Sequence, residues 1–396
     1  MPAGATRLGP KFFVLGAWVQ PVANMAKWKR RGINTMVAHT DDFQGDAGPA
    51  WRAECAKLGL YMVVRPDHIK SGGSLLSQDK DDPLILAHML YDEPEGGAHK
   101  TPGELAAEVA AIRAAGSTKP TFVNYLGNSM AFQYGLAPYT DASGARPYTN
   151  LDYLNVPGID WFSSDIYPPV FGAEYVYGWA TALDVRDSFT TTPGAATRNM
   201  HFGPFNHATP GSAGKAVFQY IATGRVGEPG GRPLTASQFR GLAWSCIING
   251  CSGLLMFPQY AVSSGFISDD TGPDIEAELA VLVSKLAILQ NQGGVNVLMD
   301  TVNGGRRAFT PRRCADTQNG DPARPPNFKP PVGNQFQPPF EGCEIAAGGD
   351  TYRLVVNLFG SPQMLTDPGW GLTSNSFGPY QVKCFKASAP SMDILA

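Results

Sequence analysis

The sequence has few cysteines, few charged residues and no long apolar run. Six cysteines among 396 residues are too few for a disulfide scaffold, and no Cys-x-x-Cys spacing indicates a metal site. Charged residues make up 16%, and a net charge of -3 with a pI near 6.1 gives no general attraction to nucleic acid or to an anionic membrane. No run of about 18 apolar residues occurs, the length that a membrane span requires. We therefore expect neither nucleic acid nor a membrane as a partner.

Motifs for metals, phosphates and serine nucleophiles are also missing. The six histidines are scattered and form no His-Glu-x-x-His motif, and the chain has neither a Gly-x-Ser-x-Gly elbow nor a Walker loop. We expect no metal and no cofactor. Residues 1–11 lack the apolar segment of a secretory signal, although abundant glycine (45) and proline (33) favour a loop-rich extracellular or periplasmic protein. In an exported protein, Cys314 and Cys343 are the candidates for a disulfide.

Short apolar runs alternate with helical segments over the first three quarters of the chain. Strands are predicted at 11–16, 33–39, 60–66, 84–91, 120–125, 159–168, 200–206 and 252–258, and helices at 49–58, 101–115, 235–249 and 273–290. Thr101 and Glu104 have the spacing of a capping box. Eight such strands predict an α/β fold, a (β/α)8 TIM barrel over residues 1–292. Beyond residue 293, strand-like segments without helices predict a small antiparallel β-sandwich domain over residues 293–396.

The stretch 84–95 carries the first candidates for chemistry. Its apolar run ends in Asp92, Glu93 and Pro94, and proline lacks the backbone donor that a continuing central strand needs. The strand therefore stops at the two acids, and the carboxyl ends of barrel strands face the mouth where catalytic side chains lie. A simpler interpretation is that the acids only end the strand and cap the next helix. Consecutive strand residues point to opposite faces, so we expect one acid to act and the other to orient it.

Several segments together resemble the clan A type of retaining barrel glycoside hydrolases with a C-terminal β-sandwich. The resemblance lies in Tyr91-Asp92-Glu93-Pro94 at strand four, Asp165-Ile166-Tyr167-Pro168 at strand six, and the segments 232–235, 240–244, 250–254 and 379–382. It covers most of the chain in order, through short motifs. The resemblance implies a carbohydrate-cleaving enzyme with Glu93 as general acid/base. The residues fit that chemistry, because glycosidic cleavage uses one protonated carboxyl group and a second, ionised one.

The second carboxylate departs from this pattern. Such glycosidases usually carry a nucleophilic glutamate at the end of strand seven, whereas the predicted strand seven ends in residues 201–207, which contain no acid. We expect Asp165 to replace it as the second catalytic residue, with Glu228 as the reserve. The alternative is attack by an acetamido oxygen of the substrate, with Asp92 holding the acetamide while Glu93 donates the proton.

Aromatic and polar side chains near the predicted strand ends are expected to bind the substrate. Flat rings can stack on sugars, and polar groups can hydrogen-bond to sugar hydroxyls. The candidates are Asp92, Trp18, His39, Arg65, Asn124, Tyr125, Tyr167, Asn206 and Gln259. The sequence thus predicts a glycosidase that degrades an oligo- or polysaccharide. The alternative is a non-catalytic carbohydrate-binding or structural protein of a virion or cell surface on a degenerate barrel, which the missing acid at strand seven favours.

Overall fold

The computed structural model describes most of the chain in separate ranges. These are residues 9–38, 48–66, 78–95, 100–126, 140–141, 144–145, 148, 150–165, 215–224, 233–258, 269–314, 340–358, 360 and 362–396. Within these ranges no helix combines the length and the apolar character needed to cross a membrane.

Eight parallel strands close into a barrel. In chain order they are β1 (Val14–Trp18), β2 (Thr35–Val37), β3 (Tyr61–Val64), β4 (Ile85–Asp92), β5 (Thr121–Leu126), β6 (Trp161–Asp165), β7 (Ala216–Ala222) and β8 (Gly253–Phe257). Strand β1 completes the ring by pairing with β8, from Val14 opposite Gly253 to Ala17 opposite Met256. The predicted (β/α)8 barrel is confirmed.

Helices follow most of these strands, and those predicted at 49–58, 101–115, 235–249 and 273–290 are confirmed. The helices are α1 (Val22–Arg30), α2 (Pro49–Leu58), α3 (Pro102–Ala114), α4 (Asn150–Leu154), α5 (Ala236–Ile248) and α6 (Pro273–Gln290). The capping box that begins α3 is confirmed, since Glu104 N donates to Thr101 Oγ1 at 3.1 Å and Thr101 N donates to Glu104 Oε2 at 2.8 Å. A second capping box, of Thr235 and Gln238, begins α5.

The prediction for strand seven is wrong. The strand between β6 and β8 is Ala216–Ala222, and all of its residues are buried. Parallel barrel strands are covered on both faces, so they read as nearly continuous apolar runs, and Ala-Val-Phe-Gln-Tyr-Ile-Ala has that character. The predicted segment 200–206 contains His201, Pro204 and Asn206, and it lies outside the described residues.

Two hydrophobic clusters show which way the barrel side chains face. The larger one includes side chains from both faces of the strands, among them Met89 and Phe122, and it continues into the C-terminal sheet. The other, which we call the outer cluster, lies between the strands and helices α3 and α4 and includes Leu90, Val123 and Tyr125. Because neighbouring strand residues alternate between faces, a strand residue in the outer cluster places its regular neighbours in the barrel interior.

The C-terminal part is antiparallel, as predicted. A five-stranded sheet runs in the order β9 (Phe309–Cys314), β10 (Phe340–Ala347), β11 (Asp350–Asn357), β14 (Val382–Lys386) and β15 (Ala389–Asp393). A separate hairpin pairs β12 (Gln363–Asp367) with β13 (Leu372–Phe377) around the 3-10 turn Pro368–Trp370. An aromatic cluster that includes Trp370 and Phe377 joins the hairpin to the sheet. The segment 295–299 forms no continuous strand and makes isolated bridges at Val295 and Met299.

The strand register contradicts the expected disulfide between Cys314 and Cys343. Cys343 is a buried free thiol that pairs with Pro311, whereas Cys314 lies opposite Phe340. The two cysteines are therefore displaced by three positions along the sheet, which corresponds to about 10 Å at the usual rise per residue. A disulfide requires Cα atoms within about 7 Å.

Candidate active site

Strand β4 carries a β-bulge immediately before its acids. Between Met89 and Asp92 the strand advances by three residues while β5 advances by two. Met89 faces the barrel interior, and Leu90 and Tyr91 both pack on the outer cluster. Regular alternation would place Tyr91 inside and Asp92 outside, but the extra residue reverses that order. The bulge therefore turns Asp92 towards the interior.

A chain of hydrogen bonds holds Asp92 at the carboxyl end of the barrel. Asn124 Nδ2 donates to Asp92 Oδ1 at 2.7 Å, and Ser163 Oγ donates to Asn124 Oδ1 at 2.7 Å. Asn124 faces the interior because Val123 and Tyr125, on either side of it, belong to the outer cluster. Asn124 is 2% exposed and Ser163 is fully buried. Strands β4, β5 and β6 thus share one preorganised polar chain that leads to the Asp92 carboxylate.

Glu93 follows at the point where the strand has already turned. Its backbone N–H donates to Asn124 O at 2.8 Å, and its φ of 45° is unusual for a residue with a side chain. Such a conformation costs about 1–3 kcal/mol and recurs at functional sites. Glu93 is partly buried. The turn frees Asp92 and Glu93 from strict alternation, so both acids can lie at the mouth.

Trp18 is the last residue of β1 and packs against β7. It is 4% exposed and meets Tyr220 of β7 edge-on, with ring centres 5.2 Å apart. The loop after it is fixed by Gln20, whose Nε2 donates to the Trp18 and Val19 carbonyls at 3.3 and 3.1 Å. Trp28 Nε1 donates to Gln20 Oε1 at 2.9 Å. The only sequence signal for this role of Gln20 is an amide two residues after a strand end.

The structure removes Tyr125 from the expected substrate-binding set. Tyr125 is fully buried between the sheet and the helices, and its hydroxyl donates to Tyr153 O at 3.0 Å. A ring in that layer cannot stack on a sugar at the mouth, so the prediction for Tyr125 is wrong. Alternation along β5 explains the error, because Asn124 takes the inward position.

Arg65 lies in a different environment from the one expected. Its guanidinium is 4.9 Å from the ring centre of Tyr91, which packs on the outer cluster. This places Arg65 on the helix side of β4, whereas Asp92 faces the barrel interior.

The other predicted site residues are described only in part or not at all. The backbone of Asp165 ends β6 in register with Leu126, and its side chain is outside the described part of the structure. His39, Tyr167, Gln259 and the reserve acid Glu228 are outside the described residues.

The observed position of β7 changes where Asn206 and Glu228 lie relative to strand seven. Asn206 precedes β7, so the reason for placing it at the end of strand seven is withdrawn. Glu228 is the first acid after β7 and follows Ala222 by six residues. The revised strand ends at Ala222 and is followed by Thr223 and Gly224, so its end also lacks an acid, and the feature that favours a degenerate, non-catalytic barrel remains.

Metal-binding side chains do not cluster in the described ranges. No group of three or more His, Cys, Asp and Glu residues there is arranged to hold an ion.

Neither a protein-family model nor a curated protein matches the chain. Among solved structures, the chain is similar to a putative alpha amylase from Salmonella typhimurium, with 12% identity, 97% of this chain and 82% of that one covered, and a TM-score of 0.47. An alpha-amylase from Geobacillus thermoleovorans has 8% identity, coverage of 96% and 98%, and a TM-score of 0.47. An endo-beta-1,4-mannanase from Thermotoga petrophila has 11% identity, coverage of 96% and 92%, and a TM-score of 0.43. Fold likeness at this level does not determine a reaction, since one barrel architecture hosts many chemistries.

Proposed function

We propose that the chain is a glycoside hydrolase that cleaves O-glycosidic bonds of an oligo- or polysaccharide, with Glu93 as general acid/base. The observation that carries the proposal is the turned end of β4. There a bulge directs Asp92 inward, Asn124 holds it, and the partly buried Glu93 follows at positive φ. Two adjacent carboxyl groups at the mouth of a barrel, one of them fixed, suit the cleavage of an acetal.

The two acids of β4 have different roles in this proposal. Glu93 protonates the leaving oxygen and afterwards takes a proton from the attacking water. Asp92 is held by its hydrogen bond from Asn124, and we assign it the role of orienting the substrate beside Glu93. Trp18 at the end of β1, whose ring meets Tyr220, is proposed as apolar surface for the sugar.

The second catalytic carboxylate is proposed to be Asp165 or Glu228. Asp165 ends β6, the strand that also carries Ser163 of the polar chain. Glu228 lies six residues beyond the end of β7, the strand at whose end the glycosidases that the sequence resembles usually carry their nucleophile. Replacing each separately by its amide identifies the second carboxylate as the one whose loss stops turnover. If both amides remain active, attack by the substrate's own acetamido group accounts for the reaction.

The experiment that tests the proposal compares Glu93→Gln with the parent on a panel of polysaccharides, with release of reducing sugar as the measurement. We expect turnover to fall at least about a hundredfold, because a general acid contributes that much. Asp81→Asn is the control, since Asp81 is an exposed acid in the loop before β4 and its loss should leave turnover unchanged.

Two results would count against the proposal. Turnover by Glu93→Gln within about tenfold of the parent would remove Glu93 from the mechanism. Sugar binding by the parent without any cleavage across the panel would instead favour a carbohydrate-binding protein.

A further inference from the structure

We propose that Tyr91 is a positioning residue whose anchorage on the helix side of β4 maintains the bulge and thereby keeps Asp92 facing inward beside Glu93. The inference deepens the proposed function and rests on it for its kinetic consequence only. Its structural part stands on the contacts of Tyr91, Glu108 and Arg65.

The geometry requires an anchor at this residue. A bulge inserts one unpaired residue, and a regular strand in its place would restore the ladder and return Tyr91 to the interior. Asp92 would then move to the outer face and lose Asn124 as its donor. The inward position of Asp92 and the outward position of Tyr91 are therefore one structural state.

Contacts on three sides hold the Tyr91 ring outside. Its hydroxyl donates to Glu108 Oε1 on α3, and its ring packs on the outer cluster. The Arg65 guanidinium lies 4.9 Å from the ring centre, and Lys100 Nζ lies 5.4 Å from it. Cations over an aromatic ring at such distances are attractive. The anchor thus joins the end of β3, the bulge and helix α3.

The ionisation of the pair favours a lasting contact. Burial raises the pKa of the Tyr91 hydroxyl, and the hydrogen bond to Glu108 raises it further, so the hydroxyl keeps its proton and remains a donor. Burial also raises the pKa of Glu108, opposed by the hydrogen bond from Tyr91 and by the charges of Arg65 and Lys100. Either form of the Glu108 carboxyl group can accept from Tyr91.

The structural test follows the Asn124 side-chain amide by NMR in protein labelled with 15N at asparagine, with Asn124→Ala used for assignment. In the parent this amide donates to Asp92. Tyr91→Phe should accelerate its hydrogen exchange roughly tenfold, as expected for the loss of about one net hydrogen bond. Tyr61→Phe is the matched control, since Tyr61 begins β3 and stacks on Phe12. Unchanged exchange in Tyr91→Phe would overturn the proposal.

Variants of the acceptor keep the test decisive if Tyr91→Phe does not fold. Glu108→Leu removes the acceptor and should reproduce the faster exchange of the Asn124 amide. Glu108→Gln keeps an acceptor oxygen and should restore the exchange rate of the parent. If Leu and Gln at position 108 behaved alike, the Tyr91 hydroxyl would have no positioning role.

The kinetic arm separates this inference from the proposed function. If the parent cleaves a polysaccharide, Tyr91→Phe should lower kcat about ten- to a hundredfold with little change in KM, because displaced catalytic groups cost rate more than binding. A Tyr91→Phe variant that keeps the parental kcat would overturn the positioning role. If the parent cleaves no glycan, the proposed function fails, while the exchange measurement still decides whether Tyr91 positions Asp92.

Discussion

At the scale of single residues, the site depends on which face of β4 and β5 each side chain occupies. The sequence places Asp92, Glu93 and Asn124 at strand ends, and the structure finds all three there. The sequence does not reveal the bulge in β4, because one extra residue reverses the inward and outward alternation of side chains without any change in composition. For the same reason Tyr125, also at a strand end, belongs to the core.

Asn124→Asp tests the polar contact directly. The new carboxylate would lie about 2.7 Å from Asp92 Oδ1, and two carboxylates so close cannot both ionise without cost. One of the two groups should have a raised pKa in the folded protein, so the native state binds more protons than the unfolded state. The free energy of unfolding should then fall as the pH rises above the ordinary value of about 4, by about 1.4 kcal/mol for each pH unit until that group ionises in the folded protein.

Urea denaturation at pH 4.5 and pH 8 measures this difference. Asn124→Ala is the control, because it removes the hydrogen bonds without adding a charge, and its stability should depend less on pH than that of Asn124→Asp. An equally weak pH dependence in Asn124→Asp would mean that position 124 does not face the Asp92 carboxylate.

At the scale of elements, local sequence signals such as capping boxes and terminal glycines predict helix positions well. The helices that begin at a capping box or end at glycine lie where the sequence predicts them, as α2 and α3 show. The sequence prediction placed strand seven at 200–206, a segment that contains His201, Pro204 and Asn206, instead of at the apolar run that forms β7. The sequence of a short apolar run does not show whether the run is a barrel strand. That is determined by its pairing with β6 and β8 in the folded protein.

Lys215, immediately before β7, links this strand to α4 and gives a pH-dependent prediction. Its Nζ donates to Leu154 O at 2.9 Å and lies 4.6 Å from the ring centre of Phe162. Burial lowers the pKa of Lys215 from 10.5 to about 8, and the nearby Asp160 only partly opposes this. Between these values the native state binds fewer protons than the unfolded state, so the free energy of unfolding should rise with pH from about 8 towards 10.5.

Lys215→Met should reduce this rise and should be more stable than the parent at pH 7, because the buried charge is removed. Thermal unfolding across this pH range is the measurement. An identical pH dependence in the parent and in Lys215→Met would show that Lys215 keeps an ordinary pKa in the folded protein.

At the scale of the whole molecule, the barrel and the C-terminal sheet share one core. The larger hydrophobic cluster extends from β1 to residues of β10, β11 and β14. Arg306, 8% exposed, donates from the linking segment to Leu298 O and to Ile247 O at the end of α5. We retain a barrel of residues 1–292 followed by a C-terminal unit of residues 293–396 as a proposal, in which the two parts unfold together.

Glu341→Ala tests the contact between these two parts. Glu341 Oε2 accepts from Ser245 Oγ at 2.6 Å and from Asn249 Nδ2 at 2.9 Å, and Glu341 is 5% exposed. Its loss should cost about 1–3 kcal/mol, the usual penalty for leaving buried polar groups unsatisfied. Glu344→Ala on the same strand breaks a partly exposed pair with Arg353 and should cost less than about 1 kcal/mol.

Calorimetry of both variants should show a single unfolding transition, shifted further in Glu341→Ala. Two separate transitions in either variant would contradict a shared core.

The central claim is that Glu93 donates the proton to the leaving group, and leaving-group dependence tests it most directly. The measurement compares kcat/KM of Glu93→Gln with that of the parent on two glycosides of the sugar that the parent releases, one with an alkyl and one with a dinitrophenyl leaving group. Departure of the leaving group determines kcat/KM, whereas the later attack of water, in which Glu93 acts as base, affects only kcat. A dinitrophenolate departs without protonation, so we expect kcat/KM to fall at least about a hundredfold on the alkyl glycoside and less than about tenfold on the dinitrophenyl glycoside. Equal losses on both substrates, or no loss on either, would contradict the assignment of Glu93 as the proton donor.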